Sequence, residues 1–266
     1  FVGSLAIAPN VTYNFEPDLT NANGATVNTW QSDTANVYDF SFSGVTYNIN
    51  PGSNYPGIIS SYTFDGDANP ANGGNADSVT FLSPTLDTSD VTLELWVKPD
   101  AVSGTEMLYE TGATGDGLGI AIHDNSVYLG VKDSALDGLI SVSLAEIDIT
   151  EFFQITATGE DTGGGMTWTL YVKGIDNGTG SGTAGELFEA SSSTGEIAGF
   201  SDFAGGNGSG LGRDNGGNAL SSIGGEPSYA NYNGEIAIFR LYDTALSAAE
   251  VDGNYEAITN PDLANA

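Results

Sequence analysis

Three carboxylates spaced for shared work stand in Glu146-Ile-Asp-Ile-Thr-Glu151. On a bulged strand all three would face one cleft, with Glu146 as nucleophile, Asp148 as electrostatic modulator and Glu151 as acid/base. A retaining glycoside hydrolase needs the two working carboxyls ~5–5.5 Å apart. A second acidic constellation, Asp65-Gly-Asp67-Ala-Asn69, sets oxygen ligands at alternate positions of a tight loop. Calcium takes about six to eight oxygens, and alternating Asp and Asn side chains in a turn can converge on one ion. The loop departs from the EF-hand pattern, because Ala71 stands where that turn uses glycine and no Glu closes it. His123 is the sole histidine and cysteine is absent, so no cluster of His and Cys can hold a transition metal. Any Ser-His-Asp triad would have to use His123, which no nucleophile elbow accompanies. Gly205-Gly-Asn-Gly-Ser-Gly210 lacks the lysine and the following helix of a phosphate loop. The remaining binding chemistry is aromatic, since sugar rings stack their C–H faces on Trp and Tyr while Asp and Asn accept from hydroxyls. Tyr229, Tyr232, Trp30 and Tyr55 are the candidates. Tyr229 and Tyr232 follow a Gly-rich stretch and are expected to be exposed, whereas Trp96 alternates against Leu95 and Val97 and is expected in a packed layer.

The elements that would position these residues read as strands. Period-two apolar runs occupy Val37–Ile49, Ile58–Phe64, Val79–Phe81, Val91–Val97, Leu118–Ile122, Val127–Val131, Phe153–Thr158, Thr167–Val172 and Gly234–Tyr242. Asp124-Asn125, Gly163-Gly-Gly165, Asn177-Gly178 and Asn215-Gly-Gly217 supply turns between them. No long amphipathic helix competes, so two stacked antiparallel sheets are predicted. Ser247-Ala-Ala-Glu250 has the form of a capping box and predicts one short C-terminal helix. Ile175–Thr194 and Phe203–Pro227 read as long irregular loops, where binding residues tend to lie. One domain over residues 1–258 is expected, with an irregular tail over 259–266.

Composition narrows the partners. Thirty-five acids against five bases give a net charge of −30, which excludes nucleic acid and anionic membrane surfaces as natural partners. Such self-repulsion is relieved by condensed cations, as in a salty or calcium-containing medium outside the cell or at its surface. No apolar run approaches the ~20 residues of a membrane helix, so a soluble chain without membrane insertion is expected. Phe1 is not followed by a basic and then an apolar region, so the chain is either mature after export or never carried a signal. The absence of cysteine excludes a disulfide framework, which a chain of this length does not need.

The C-terminal Tyr232-Asn-Gly-Glu-Ile-Ala-Ile-Phe-Arg-Leu-Tyr242 followed by Ala245-Leu-Ser-Ala-Ala-Glu250 resembles the close of bacterial laminin-G-like domains of the concanavalin A-like lectin/glucanase superfamily. Gly24-Ala-Thr-Val-Asn-Thr-Trp30, Phe64-Asp-Gly66, Val91-Thr-Leu-Glu-Leu-Trp-Val-Lys-Pro-Asp100 and Trp168-Thr-Leu-Tyr-Val-Lys-Gly174 are similar to further elements of those domains, in order, over residues 12 to 257. The resemblance implies an all-β, two-sheet jelly-roll sandwich, a fold that hosts lectins, adhesion modules, hydrolases and lyases. It implies a calcium-binding role for Asp116, with Asp214 as the nearest partner by loop order, while Ala237 and Lys173 stand where many relatives have Asp. Glu146–Glu151 also resembles the acidic motif of a retaining glucanase family on this same sandwich. There, however, a long segment precedes the following hairpin, whereas seventeen positions lead from Glu151 to Trp168 here. Aligned as a laminin-G domain, Glu151-Phe-Phe-Gln-Ile155 begins a strand instead. The expectation is therefore a non-catalytic, extracellular, calcium-stabilised module that binds glycan or a protein surface. Self-assembly into a surface layer, sheath or filament is the alternative, ahead of a glycoside hydrolase using Glu146, Asp148 and Glu151.

Overall fold

A computed structural model describes residues 11–17, 19–31, 39–66, 90–112, 116–133, 136–198, 209–213, 220 and 230–260. In chain order the elements are β1 (Val11–Phe15), β2 (Thr26–Gln31), β3 (Asp39–Ile49), β4 (Ser60–Asp65), β5 (Val91–Pro99), β6 (Thr105–Gly112), β7 (Asp116–His123), β8 (Ser126–Asp133), β9 (Leu136–Ser143), β10 (Phe153–Asp161), β11 (Gly165–Ile175), β12 (Leu187–Ala198), β13 (Ser209–Leu211), β14 (Ala230–Asn231), β15 (Asn233–Tyr242) and α1 (Ala248–Thr259). The nine-stranded sheet runs β12-β11-β10-β5-β15-β4-β3-β2, and the six-stranded sheet runs β13-β6-β7-β8-β9 with β14 beside β6. Strand β15 is inserted between β5 on one side and β4, then β1, on the other. Two-residue turns need positive φ to match strand twist, and Asp124 (φ 42°) and Asn125 (φ 63°) supply it between β7 and β8.

Period two decides the layers. On β5, Val91, Leu93, Leu95 and Val97 enter the main core between the sheets, with Leu129, Ile155, Trp168 and Phe239 among their companions. Trp96 points the other way, as its alternation predicts, into a second cluster with Tyr55, Phe152, Ile238, Tyr255 and Ile258 beneath α1. The Tyr255 ring stacks on Trp96 at 5.4 Å and 16°. Helix α1 begins with the predicted capping box: Ser247 accepts from the Glu250 amide while the Glu250 carboxylate accepts from the Ser247 amide at 2.8 Å.

Beneath α1 the outward face of the sheet also buries a charge. Glu94, fully buried, accepts from Trp96 Nε1 (3.0 Å), Gln154 Nε2 (2.9 Å), Tyr242 OH (2.9 Å) and Asn254 Nδ2 (2.8 Å), and faces Arg240 Nη1 at 3.3 Å. Arg240 spends its remaining donors on Asn14 Oδ1 (2.8 Å) and Glu16 Oε1 (3.0 Å). Burial alone would raise the Glu94 carboxyl, but the Arg240 guanidinium and the surrounding donors outweigh it and hold the pKa below the usual range. The Arg-Leu-Tyr of the C-terminal signature is thereby explained as a structural lock.

Two expectations are corrected. Residues 187–198, part of which reads as an irregular loop, form β12, a twelve-residue edge strand paired along β11; its Ser, Thr and Gly composition fits because its outer side faces solvent. The segment 144–152 is not a strand. It is a pair of turns carrying one bridge, Ile147 to Asp176, so the bulged strand needed to align Glu146, Asp148 and Glu151 does not form. Val79–Phe81 lies outside the described residues.

Candidate functional site

The structure separates the three acids. Asp148 Oδ1 accepts from the Thr150 amide (3.0 Å) and hydroxyl (2.6 Å), closing its own turn. Glu151 is clamped by Asn54, whose backbone amide and Nδ2 reach its two oxygens at 3.0 and 2.6 Å. Glu146 alone of the three lines a cleft, with Asp176 rather than Glu151 as its acidic companion.

The aromatic candidates are also corrected. Trp30, 1% exposed, packs edge-on to Tyr62 at 4.9 Å and donates to the Glu16 carbonyl. Tyr55, 5% exposed, lies against Trp96 and Tyr255. Tyr232, expected at the surface, is fully buried, because the chain passes between the sheets there and its ring meets Phe64 at 6.0 Å. All three are core residues. Tyr229, Asp67, Asn69 and Asp214 lie outside the described residues.

Of the other metal candidates, Asp65 is exposed at the end of β4, opposite Asn233. Nearby, burial and then the Asp100 charge push the Glu106 carboxyl up against the opposing hydrogen bond from the Asn233 amide. Asp116 opens β7, whose far end, His123, pairs with Thr105 just after β5 closes beside Asn233. Asp65 and Asp116 therefore mark opposite ends of the sandwich, roughly 20 Å apart along a strand rising ~3.3 Å per residue. They cannot share one ion. Among the described residues no group of three or more His, Asp or Glu side chains is arranged to hold a metal.

The cleft that Glu146 lines has a volume of about 400 Å³ and is bounded by Ser143 at the end of β9, Asp176, the loop residues Ser181 and Gly182, and Leu187 to Ala190 at the start of β12. Its loop, residues 176–186, is stapled to the turn that carries Glu146. The Asn177 amide donates to the Glu146 carbonyl (2.9 Å), Asn177 Nδ2 to the carbonyls of Ala145 and Ile147 (both 3.0 Å), and Thr179 Oγ1 to Ala145 O (2.8 Å). The glycines of Gly178-Thr-Gly-Ser-Gly182 have a steric reason. A Cβ at Gly180 would stand 1.8 Å from Glu146 Oε2, and one at Gly182 would stand 1.9 Å from Asp176 Oδ2. Both carboxylates therefore lie directly against loop backbone that only glycine allows. Asp176, 4% exposed, takes the Gly178 amide on Oδ1 at 2.6 Å. Phe188 and Ala190 anchor the other wall against the main core, and Glu189 pairs with Lys173 at 2.9 Å. Carboxylate acceptors, hydroxyls and an apolar wall in one concavity of this size suit a small polar ligand with an apolar face. Sequence reasoning found Glu146 and missed Asp176, Phe188 and Ser181. The available signal was the glycine spacing of the loop, which lies inside the stretch read as a place for binding residues.

A second cleft, of about 280 Å³, is apolar and lined by Pro17, Leu19, Pro56, Ile59 and Ala237 among others. Ala237 is the position where the resemblance has Asp.

A laminin-G family model, described as the concanavalin A-like lectin/glucanases superfamily, matches residues 72–207, half of the chain. The chain belongs to the concanavalin A-like lectin/glucanase superfamily. Solved structures similar to this superfamily member include the binding domain of botulinum neurotoxin DC in complex with SialylT (12% identity, TM-score 0.56, covering 94% of this chain and 51% of that one). A botulinum neurotoxin type C structure, whose title ties cell entry to interaction with two ganglioside molecules, gives 13% identity and a TM-score of 0.56 over 93% of this chain and 51% of that one. The botulinum neurotoxin type G receptor binding domain gives 13% identity and a TM-score of 0.51 with the same coverages, 93% and 51%. The chain spans about half the length of these solved chains, and the likeness is one of fold. No curated protein matches it.

Proposed function

We propose that this superfamily member is a non-catalytic, extracellular binding module whose cleft between the 176–186 loop, the Glu146 turn and β12 takes a glycan. One observation carries the reading: a concavity of about 400 Å³ joins Glu146, Asp176, Ser143 and Ser181 to the apolar wall of Leu187, Phe188 and Ala190. A sugar offers hydroxyl donors to carboxylates and a C–H face to an aromatic wall, so both surfaces of the cleft find partners. The ganglioside and sialylated ligand named for the neurotoxin structures give the reading its ligand class by analogy of fold. Glu151 and Asp148 are committed to Asn54 and Thr150, which supports binding rather than paired acid and nucleophile work. Calcium is part of the proposal as a stabiliser at the loop that follows Asp65 and at the Asp116 end, supported by the excess of acids over bases.

Calorimetric titration of the purified chain against a panel of neutral, amino and acidic oligosaccharides tests the reading, with Phe188→Ala and Glu146→Gln alongside. Both variants are expected to weaken binding about tenfold or more while melting as cooperatively as the parent. Absence of binding across the panel, or variants that bind like the parent, defeats it. A second reading, self-assembly, is favoured by the long exposed edge of β12. A mass that stays monomeric over a wide concentration range, with and without calcium chelation, removes it.

A further inference from the structure

We infer that the cleft selects sugars bearing a protonated amine, a narrowing that rests on the glycan reading above. The decisive group is Asp176. It is 96% buried by its 4% exposure, its Oδ1 is occupied by the Gly178 amide, and no donor among the described residues reaches its Oδ2, which lies against Gly182 in the cleft wall. A carboxylate oxygen taken from water without a donor is costly, and the ligand that relieves the cost most is a cation that also donates. Glu146 faces the same concavity from across the loop, its Oε2 against Gly180. The third acid, Glu189, is already paired with Lys173, which Asp252 also holds. No Lys or Arg is among the residues lining the cleft.

The class of ligand follows from these charges. An acidic sugar would bring a like charge into a site with two acids and no lining cation, and such juxtaposition is strongly unfavourable. A neutral sugar can donate hydroxyls to Asp176 Oδ2 and Glu146. An ammonium donates up to three hydrogens with its charge, and charge-assisted hydrogen bonds are roughly twice as strong as neutral ones. Calcium fits less well, because it seeks about six to eight oxygens and the described residues bring no third unpaired acid to this point. The chain's net charge of −30 adds long-range attraction for a cationic oligosaccharide, felt as a fast and salt-dependent association.

The test is calorimetric titration of the intact chain with a short oligomer of glucosamine, its N-acetylated counterpart and an oligogalacturonate, at mildly acidic pH and low salt. The glucosamine oligomer is expected to bind at least about tenfold more tightly than the acetylated one, and the uronate not at all. Asp176→Asn, which keeps the Gly178 contact, and Glu146→Gln, each checked by melting, should reduce the preference to within about threefold. Acetylated oligomer binding as well as or better than the amine overturns the inference and leaves the glycan reading in place, whereas silence from all three sugars defeats both. An amine preference that survives both substitutions refers the attraction to the surface charge and overturns the inference. So does competition by calcium at fixed ionic strength, which would make the cleft a metal site.

Discussion

Replacing Arg240 with methionine removes the one opposite charge facing Glu94 and leaves that carboxylate buried with the Trp96, Gln154, Tyr242 and Asn254 donors. Breaking one side of a buried ion pair costs about 3–5 kcal/mol. At roughly 2–4 °C per kcal/mol for a domain of this size, Tm should fall by about 6–20 °C. The pH dependence gives a sharper check. In the parent chain the Glu94 pKa is lowered, so its stabilisation is fully present above the unfolded value of about 4.3 and is lost as pH falls through the folded one. In the variant, burial has no cation to oppose it and the shift reverses, so the folded state prefers the protonated acid. The Tm gap between parent and variant should therefore shrink on going from pH 7 to pH 4. Differential scanning calorimetry of Arg240→Met, Glu94→Gln and the double variant measures this, with a coupling of at least about 1 kcal/mol expected between the two sites. A drop of less than about 3 °C, a gap indifferent to pH, or strictly additive effects would refute the reasoning.

Ser247→Ala should lower stability by about 1 kcal/mol through loss of the α1 cap, read as a shift of a few degrees in a circular dichroism melt; an unmoved midpoint denies the cap any contribution. Burial pulls the Lys173 pKa down, but its bonds to Asp252 and Glu189 outweigh this and raise it. Its stabilisation should accordingly be present below the unfolded value of about 10.4 and fade as pH rises through the folded one. The stability difference between parent and Lys173→Met should thus narrow with alkali, and a constant difference counts against the pair. Calcium should raise the melting temperature at fixed ionic strength, with Asp65→Ala losing part of the gain; identical melts with calcium and with chelator remove that part of the proposal.

Much of the fold is legible where local pattern and tertiary demand coincide. Strand β15 and the capping box of α1 follow from Gly234–Tyr242 and Ser247–Glu250, and the two faces of β5 follow from simple alternation around Trp96. Strand β12 is harder, because Ser191-Ser-Ser-Thr194 has no apolar face; pairing along β11 makes it a strand, and pairing is not local. Tyr232 misleads for a related reason, since its Gly-rich surroundings suggest exposure while the backbone there crosses between the sheets. The candidate site shows the same limit. Glu146 is conspicuous in a motif with Asp148 and Glu151, yet its companion Asp176 arrives through the bridge to Ile147, a pairing that neither segment announces.

The placement of β15 has a consequence for how the molecule is made. Strand β5 ends at Pro99, but its neighbour in the sheet does not leave the ribosome until Asn233 and beyond. Glu94 likewise waits for a guanidinium 146 positions away and an amide 160 positions away. Until then β4 and β5 each present an open edge, and the carboxylate between them has neither a cation nor a cover. A nascent chain of this protein cannot complete its larger sheet in step with synthesis, so the whole length must be released before the fold closes. Messages truncated even slightly upstream of Arg240 would yield a product with two sticky strand edges and a naked interior charge, one suited to prompt proteolysis rather than to partial function.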